Sequence, residues 1–143
     1  MASADDFYYP STICEVDPDF DASDWDFDYL DGSIRAIGTA VITGYCPIVR
    51  HDVGSGSTQD DYTATVNAWD GDTTYDATFC FHSRYANGST SGGSYSCSNT
   101  SGSSGRQQIS YTYNSSNGPD AHYFIRFIVR RDNTYFFSYK VTE

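Results

Sequence analysis

The stretch Tyr62-Thr63-Ala64-Thr65-Val66-Asn67-Ala68 changes character at every residue. Tyr62, Ala64, Val66 and Ala68 fall on one side of an extended chain, and Thr63, Thr65 and Asn67 on the other. Successive side chains of a strand leave opposite faces, so this period of two predicts a strand with one buried face. The same period recurs further along. Tyr75, Ala77, Phe79 and Phe81 alternate with Asp76, Thr78, Cys80 and His82. Ile109, Tyr111 and Tyr113 alternate with Gln108, Ser110 and Thr112. Tyr135, Phe137, Tyr139 and Val141 alternate with Phe136, Ser138 and Lys140, which places Phe136 on the outward face. Residues 121–130 are apolar on both faces apart from Arg126 and Arg130, the pattern of a central strand. Arg131-Asp132-Asn133-Thr134 carries turn residues and predicts a hairpin into the last strand.

The remaining segments are less regular. Residues 7–16 read as an extended segment that Pro10 confines to an edge or a strand start. Residues 17–32 form an acidic segment ending in the turn signal Asp31-Gly32. Residues 34–49 are strand-like, with a break expected near Gly38 or Gly44. His51–Asp60 and residues 86–106 are Gly/Ser-rich, and a short strand is expected around Ser94–Ser98. Seven to nine strands with regularly spaced turns predict an all-β fold, an antiparallel β-sandwich. The length of 143 residues suggests one domain over residues 1–143. Residues 1–6 are expected to be a flexible or artificial start.

Composition agrees. There are 13 Tyr, 9 Phe and 2 Trp, one Met, and Leu30 is the sole leucine. Aromatic and β-branched residues suit a pleated, half-buried surface. Lys and Arg total 8 against 19 Asp and Glu, a net charge of -11, and more than half of the acids precede Gly32. That sign repels phosphate backbones and anionic lipid, so nucleic acid is not an expected partner. No apolar run reaches spanning length, so membrane insertion is not expected.

The cysteines are Cys14, Cys46, Cys80 and Cys97, with no CxxC pair and no His at zinc-finger spacing. Two disulfides in a secreted, extracellular protein are the expectation. Three pairings exist; Cys14–Cys46 and Cys80–Cys97 close local loops and are favoured.

Two resources could carry binding. Asp17, Asp19, Asp21, Asp24, Asp26 and Asp28 are spaced as a loose Ca²⁺ site would be, although Ala22 and Asp28 replace the Gly and Glu of an EF-hand loop. The alternative is a solvated acidic face with no cofactor. Asp70-Gly71-Asp72, with Asp76, is a second acidic group. Trp25, Trp69, Tyr85 and Tyr95 are expected to be outward or in loops, where rings beside Asp and Asn can hold a sugar. The histidines His51, His82 and His122 lack a Gly-x-Ser-x-Gly partner motif, so no catalytic residues are assigned.

Tyr9-Pro10-Ser11-Thr12-Ile13-Cys14, Cys46-Pro47-Ile48-Val49-Arg50 and Ser138-Tyr139-Lys140-Val141-Thr142-Glu143 resemble a loose group of small exported bacterial proteins of unknown function. The resemblance implies export and a Cys14–Cys46 bond, and no activity. The function expected is a non-catalytic binding or adhesion module for a glycan or cell-surface ligand. The alternatives are a filament or matrix subunit that binds copies of itself head to tail or by strand addition, and a small secreted hydrolase.

Overall fold

The structure, a computed structural model, describes residues 6–28, 32–48, 62–71, 74–85, 95–102, 105–113, 121–131 and 134–142. Eleven strands are defined there: β1 (Asp6–Pro10), β2 (Glu15–Val16), β3 (Trp25–Asp28), β4 (Ser33–Ala36), β5 (Val41–Ile48), β6 (Tyr62–Asp70), β7 (Thr78–Tyr85), β8 (Tyr95–Asn99), β9 (Gly105–Tyr113), β10 (Ala121–Arg130) and β11 (Thr134–Thr142). A 3₁₀ turn, Ser11–Ile13, follows β1. The count exceeds seven to nine because the short pieces β2 and β3 hold too few residues to show a period. Residue 6 is not part of a loose tail: Asp6 pairs with Thr142 at the end of β1.

The strands form two antiparallel sheets. A six-stranded sheet runs β3-β4-β11-β6-β9, with β1 lying on β11 beyond the short β4. A five-stranded sheet runs β2-β5-β10-β7-β8. Alternation explains how they pack. Ile34, Ala36, Ala64, Val66, Ala68, Phe136, Tyr139 and Val141 line the inner face of the first sheet. Ile42, Cys46, Phe79, Phe81, Ile125, Phe127 and Val129 line that of the second. Small residues on β6 leave room for the rings opposite, and Phe136 packs on Phe79 and Phe127 at centroid distances of 5.3 and 5.4 Å. Gly44 lies opposite Phe127 in register, and a Cβ there would overlap the Phe127 ring and the Glu15 carbonyl. Gly44 is therefore a packing glycine inside β5. The break falls instead at Gly38, whose φ of 61° suits glycine.

The chain changes sheet between β4 and β5 and again between β10 and β11. Residues 37–40 lead from β4 to β5. Arg131, which follows β10, donates its N–H to Ala40 O at 3.0 Å. The expected β10–β11 hairpin is thus corrected. Both edges of β10 are taken by β5 and β7, so β10 and β11 do not pair and lie in different sheets.

The pattern of β11 is also corrected. The register shifts between Phe136, opposite Ala68, and Ser138, opposite Asn67. Phe137 is the extra residue of a bulge, which reverses the face of what precedes it. Phe136 enters the core, fully buried, while Tyr135 and Phe137 go to the outer side.

Both favoured disulfides are present, Cys14–Cys46 and Cys80–Cys97. Cys80 and Cys97 are directly opposed in the β7–β8 register. Their sequence separations are 32 and 17. On the chain-entropy model such loops are worth about 3–4 kcal/mol each.

Candidate functional site

The outer face of the six-stranded sheet is built from the polar halves of the alternating strands. Thr63 and Thr112 share a hydroxyl hydrogen bond of 2.9 Å, and Thr65 and Ser110 one of 2.8 Å. One row further, Gln108 Nε2 donates to Asn67 Oδ1 at 2.9 Å, and Asn67 Nδ2 donates to Ser138 Oγ at 3.1 Å. This relay of amides and hydroxyls crosses β9, β6 and β11. It orients each amide, because every carbonyl or hydroxyl oxygen used has a defined donor.

The next row changes chemistry. Arg106, Trp69, Tyr135, Arg35 and Asp26 are successive partners across β9, β6, β11, β4 and β3. Trp69 is 38% exposed. Phe137, turned outward by the bulge, stacks on Tyr135 with centroids 6.3 Å apart. The Arg106 guanidinium lies over the Phe137 ring, 5.8 Å from its centroid. Between these rows lies a cleft of about 800 Å³. Its walls are Asn67 and Trp69 from β6, Arg106 and Gln108 from β9, and Phe137 and Ser138 from β11, with Ala68 and Gln107 beneath. Gln107 is held in place by Ser101, whose N–H donates to its Oε1 at 2.7 Å and whose carbonyl accepts from its Nε2 at 2.8 Å.

The charges around this face are mostly paired. Arg35 meets Asp26 at 3.1 Å, and that bond, ahead of one to Tyr135, raises the Arg35 pKa above its ordinary value. Lys140 meets Asp6 at 3.3 Å. The Asp6 carboxyl is held below the usual range by the Thr142 hydroxyl first and by Lys140 after it.

The residues expected from the sequence scatter more widely. Trp69 is in the cleft. Trp25 is half-buried on the core side of β3, edge-on to Phe27 at 5.1 Å, because its partner Ala36 faces the core. Tyr85 and Tyr95 stand on β7 and β8 of the other sheet, and their side chains lie outside the described residues. The acidic segment is strung along turns. Asp17 Oδ1 accepts from Asp19 N at 3.1 Å, Asp24 Oδ2 accepts from Asp21 N at 3.0 Å, and Asp26 is committed to Arg35. The Asp28 side chain lies outside the described residues. Among the described residues, no group of three or more His, Cys, Asp or Glu is placed to share a metal ion. Asp70 is buried and accepts from Thr100, whose hydroxyl also receives Ala77 N at 2.9 Å. His82 stacks on Phe124 on the outer face of the five-stranded sheet, with centroids 4.8 Å apart. His51 and the His122 side chain lie outside the described residues, as do residues 51–60.

Phe137, Arg106, Asn67 and Gln108 escaped the sequence reading. Asn67 and Gln108 were legible as outward polar residues, but nothing local showed that they share a row. The alternation of β11 predicts Phe137 on the core face, because a bulge leaves no mark in a run of aromatics.

The fold and cleft define an antiparallel β-sandwich with a polar–aromatic outer sheet face. Among solved structures, the chain is similar to the C-terminal CBM6 of LamC, a marine laminarinase from Zobellia galactanivorans. The TM-score is 0.55 with 11% identity, over 97% of this chain and 100% of that one. At this identity the likeness establishes the β-sandwich fold. No protein-family model matches the chain, and no curated protein matches it.

Proposed function

We propose that this protein is a secreted, non-catalytic glycan-binding module that uses the cleft on its six-stranded sheet. The observation that carries the proposal is the placing of Trp69 and Phe137 beside an oriented amide relay. Sugars present an apolar ring face and a rim of hydroxyls. An exposed indole covers the first, and amides that both donate and accept meet the second. A cleft of about 800 Å³ has room for an oligosaccharide segment rather than an ion. The similar fold of a carbohydrate-binding module, the C-terminal CBM6 of LamC, supports the same reading.

The chemistry of the lining favours binding over turnover. No carboxylate, histidine or cysteine lines the cleft among the described residues, so it holds no general acid or base. Its hydroxyl, Ser138, already accepts from Asn67 and has no adjacent base there. The two disulfides suit an oxidising compartment, and the Tyr9-Pro10 and Cys46-Pro47 motifs of the exported group support the same location.

Glycan-array screening followed by calorimetry tests the proposal. Trp69→Ala is expected to weaken binding by about tenfold or more, as removal of a central aromatic anchor does. The fold should be unaffected, since Trp69 is exposed. A ligand that binds Trp69→Ala and the parent equally well would show that the cleft is not the site.

A further inference from the structure

One charged group in the cleft points to the class of glycan. The chain holds 8 Lys and Arg against 19 acids. Three of those bases stand on the outer face of the six-stranded sheet: Arg35, Lys140 and Arg106. Asp26 neutralises Arg35, and Asp6 neutralises Lys140. Arg106 differs: among the described residues its contact is the Phe137 ring, and no carboxylate pairs with it. It is the residue directly opposite Trp69 in the β6–β9 register. Among the described residues, the cleft wall therefore places a guanidinium without a carboxylate partner next to a sugar-sized aromatic platform, in a protein whose other charges are mostly negative.

We propose, resting on the glycan-binding reading above, that the cleft takes an acidic oligosaccharide whose anionic group, a carboxylate or a sulfate, pairs with Arg106. The guanidinium fork matches the geometry of either anion through two parallel N–H bonds. The ring of the same or the adjacent residue rests on Trp69, and its hydroxyls meet Gln108, Asn67 and Ser138. The Phe137 ring lies against that guanidinium, 5.8 Å from its centroid. The net charge of -11 does not forbid this. At physiological ionic strength charges more than about 8 Å away are largely screened, and the nearest acid on this row, Asp26, is already paired.

The experiment measures three ligand sets of equal length by calorimetry: hexuronate oligosaccharides of galacturonate, guluronate and glucuronate type, their carboxyl-reduced neutral counterparts, and sulfated forms of those neutral chains. The parent protein is expected to prefer an acidic form over the neutral one by roughly tenfold or more, the usual worth of a charge-assisted bond. Arg106→Gln should erase that preference, bringing the acidic and neutral forms to equal affinity, and Arg106→Lys should retain part of it. A stronger response to the carboxylated or to the sulfated set assigns the anion. Equal affinity of the parent for acidic and neutral forms overturns this inference and leaves the glycan-binding reading intact. Binding to none of the three sets overturns both.

Discussion

Tyr139 shows how a single side chain ties the two sheets together. Its ring is fully buried on β11 and stacks on Tyr9 at 5.0 Å, and its hydroxyl donates across the core to the Pro47 carbonyl on β5. Burial, with Tyr9 as a lesser cause, pushes its phenol well above the ordinary tyrosine pKa. Below the ordinary value, about 10, the phenol is neutral in both folded and unfolded chains. Above it the unfolded chain loses the proton first, so the folded state binds more protons and stability falls as pH rises. Tyr139→Phe is expected to cost about 1 kcal/mol at neutral pH through the lost hydrogen bond. It should also flatten the loss of stability above about pH 10 relative to the parent. Urea denaturation of both proteins across that range checks the difference; parallel curves would mean that Tyr139 does not control it. The burial of Tyr139 was legible in the sequence from its alternation with Ser138 and Lys140. Its partner Pro47 was not, because the two residues are 92 positions apart.

At the level of elements, the β11 bulge decides where the aromatic wall of the cleft stands. Without an extra residue, a strand cannot place both Phe137 and Ser138 on one face. Deletion of Phe137 restores simple alternation: Phe136 stays inward, Ser138 outward and Tyr139 inward. The fold is therefore expected to survive the deletion, with circular dichroism and both disulfides retained, while glycan affinity falls by about tenfold or more. A deletion variant that binds as well as the parent would remove Phe137 from the site. The disulfides act on other elements. Cys80–Cys97 holds the edge strand β8, whose sequence is poor in apolar residues, and Cys14–Cys46 holds the segment after β1 against β5. Both were readable as local loops. Trp25 was not readable as a core residue, because the four-residue strand that turns it inward sits in a run of aspartates.

For the whole molecule, charge and architecture pull in different directions. A net charge of -11 on 143 residues repels itself in the compact state. Raising salt from about 10 mM to about 150 mM shortens the screening length from about 30 Å to about 8 Å. The melting temperature is expected to rise over that interval, since few described ion pairs are present to be weakened in return. A falling melting temperature would mean that the Asp26–Arg35 and Asp6–Lys140 pairs contribute more than the repulsion costs. The sandwich offsets that repulsion through a continuous core of aromatic and β-branched residues drawn from both sheets.

The long strands, the buried side of most of them and the closure of local cysteine pairs are legible in the sequence alone. These are properties of neighbours in the chain, and a period of two reports them directly. Which strands lie side by side, the separation of β10 and β11 into different sheets, and the bulge at Phe137 emerge first in the tertiary structure. It alone brought Trp69, Arg106, Asn67, Gln108 and Phe137 to one cleft. Strand pairing joins residues far apart in the chain, as Asp6 and Lys140 are, and a local period carries no information about which distant edge a strand will meet.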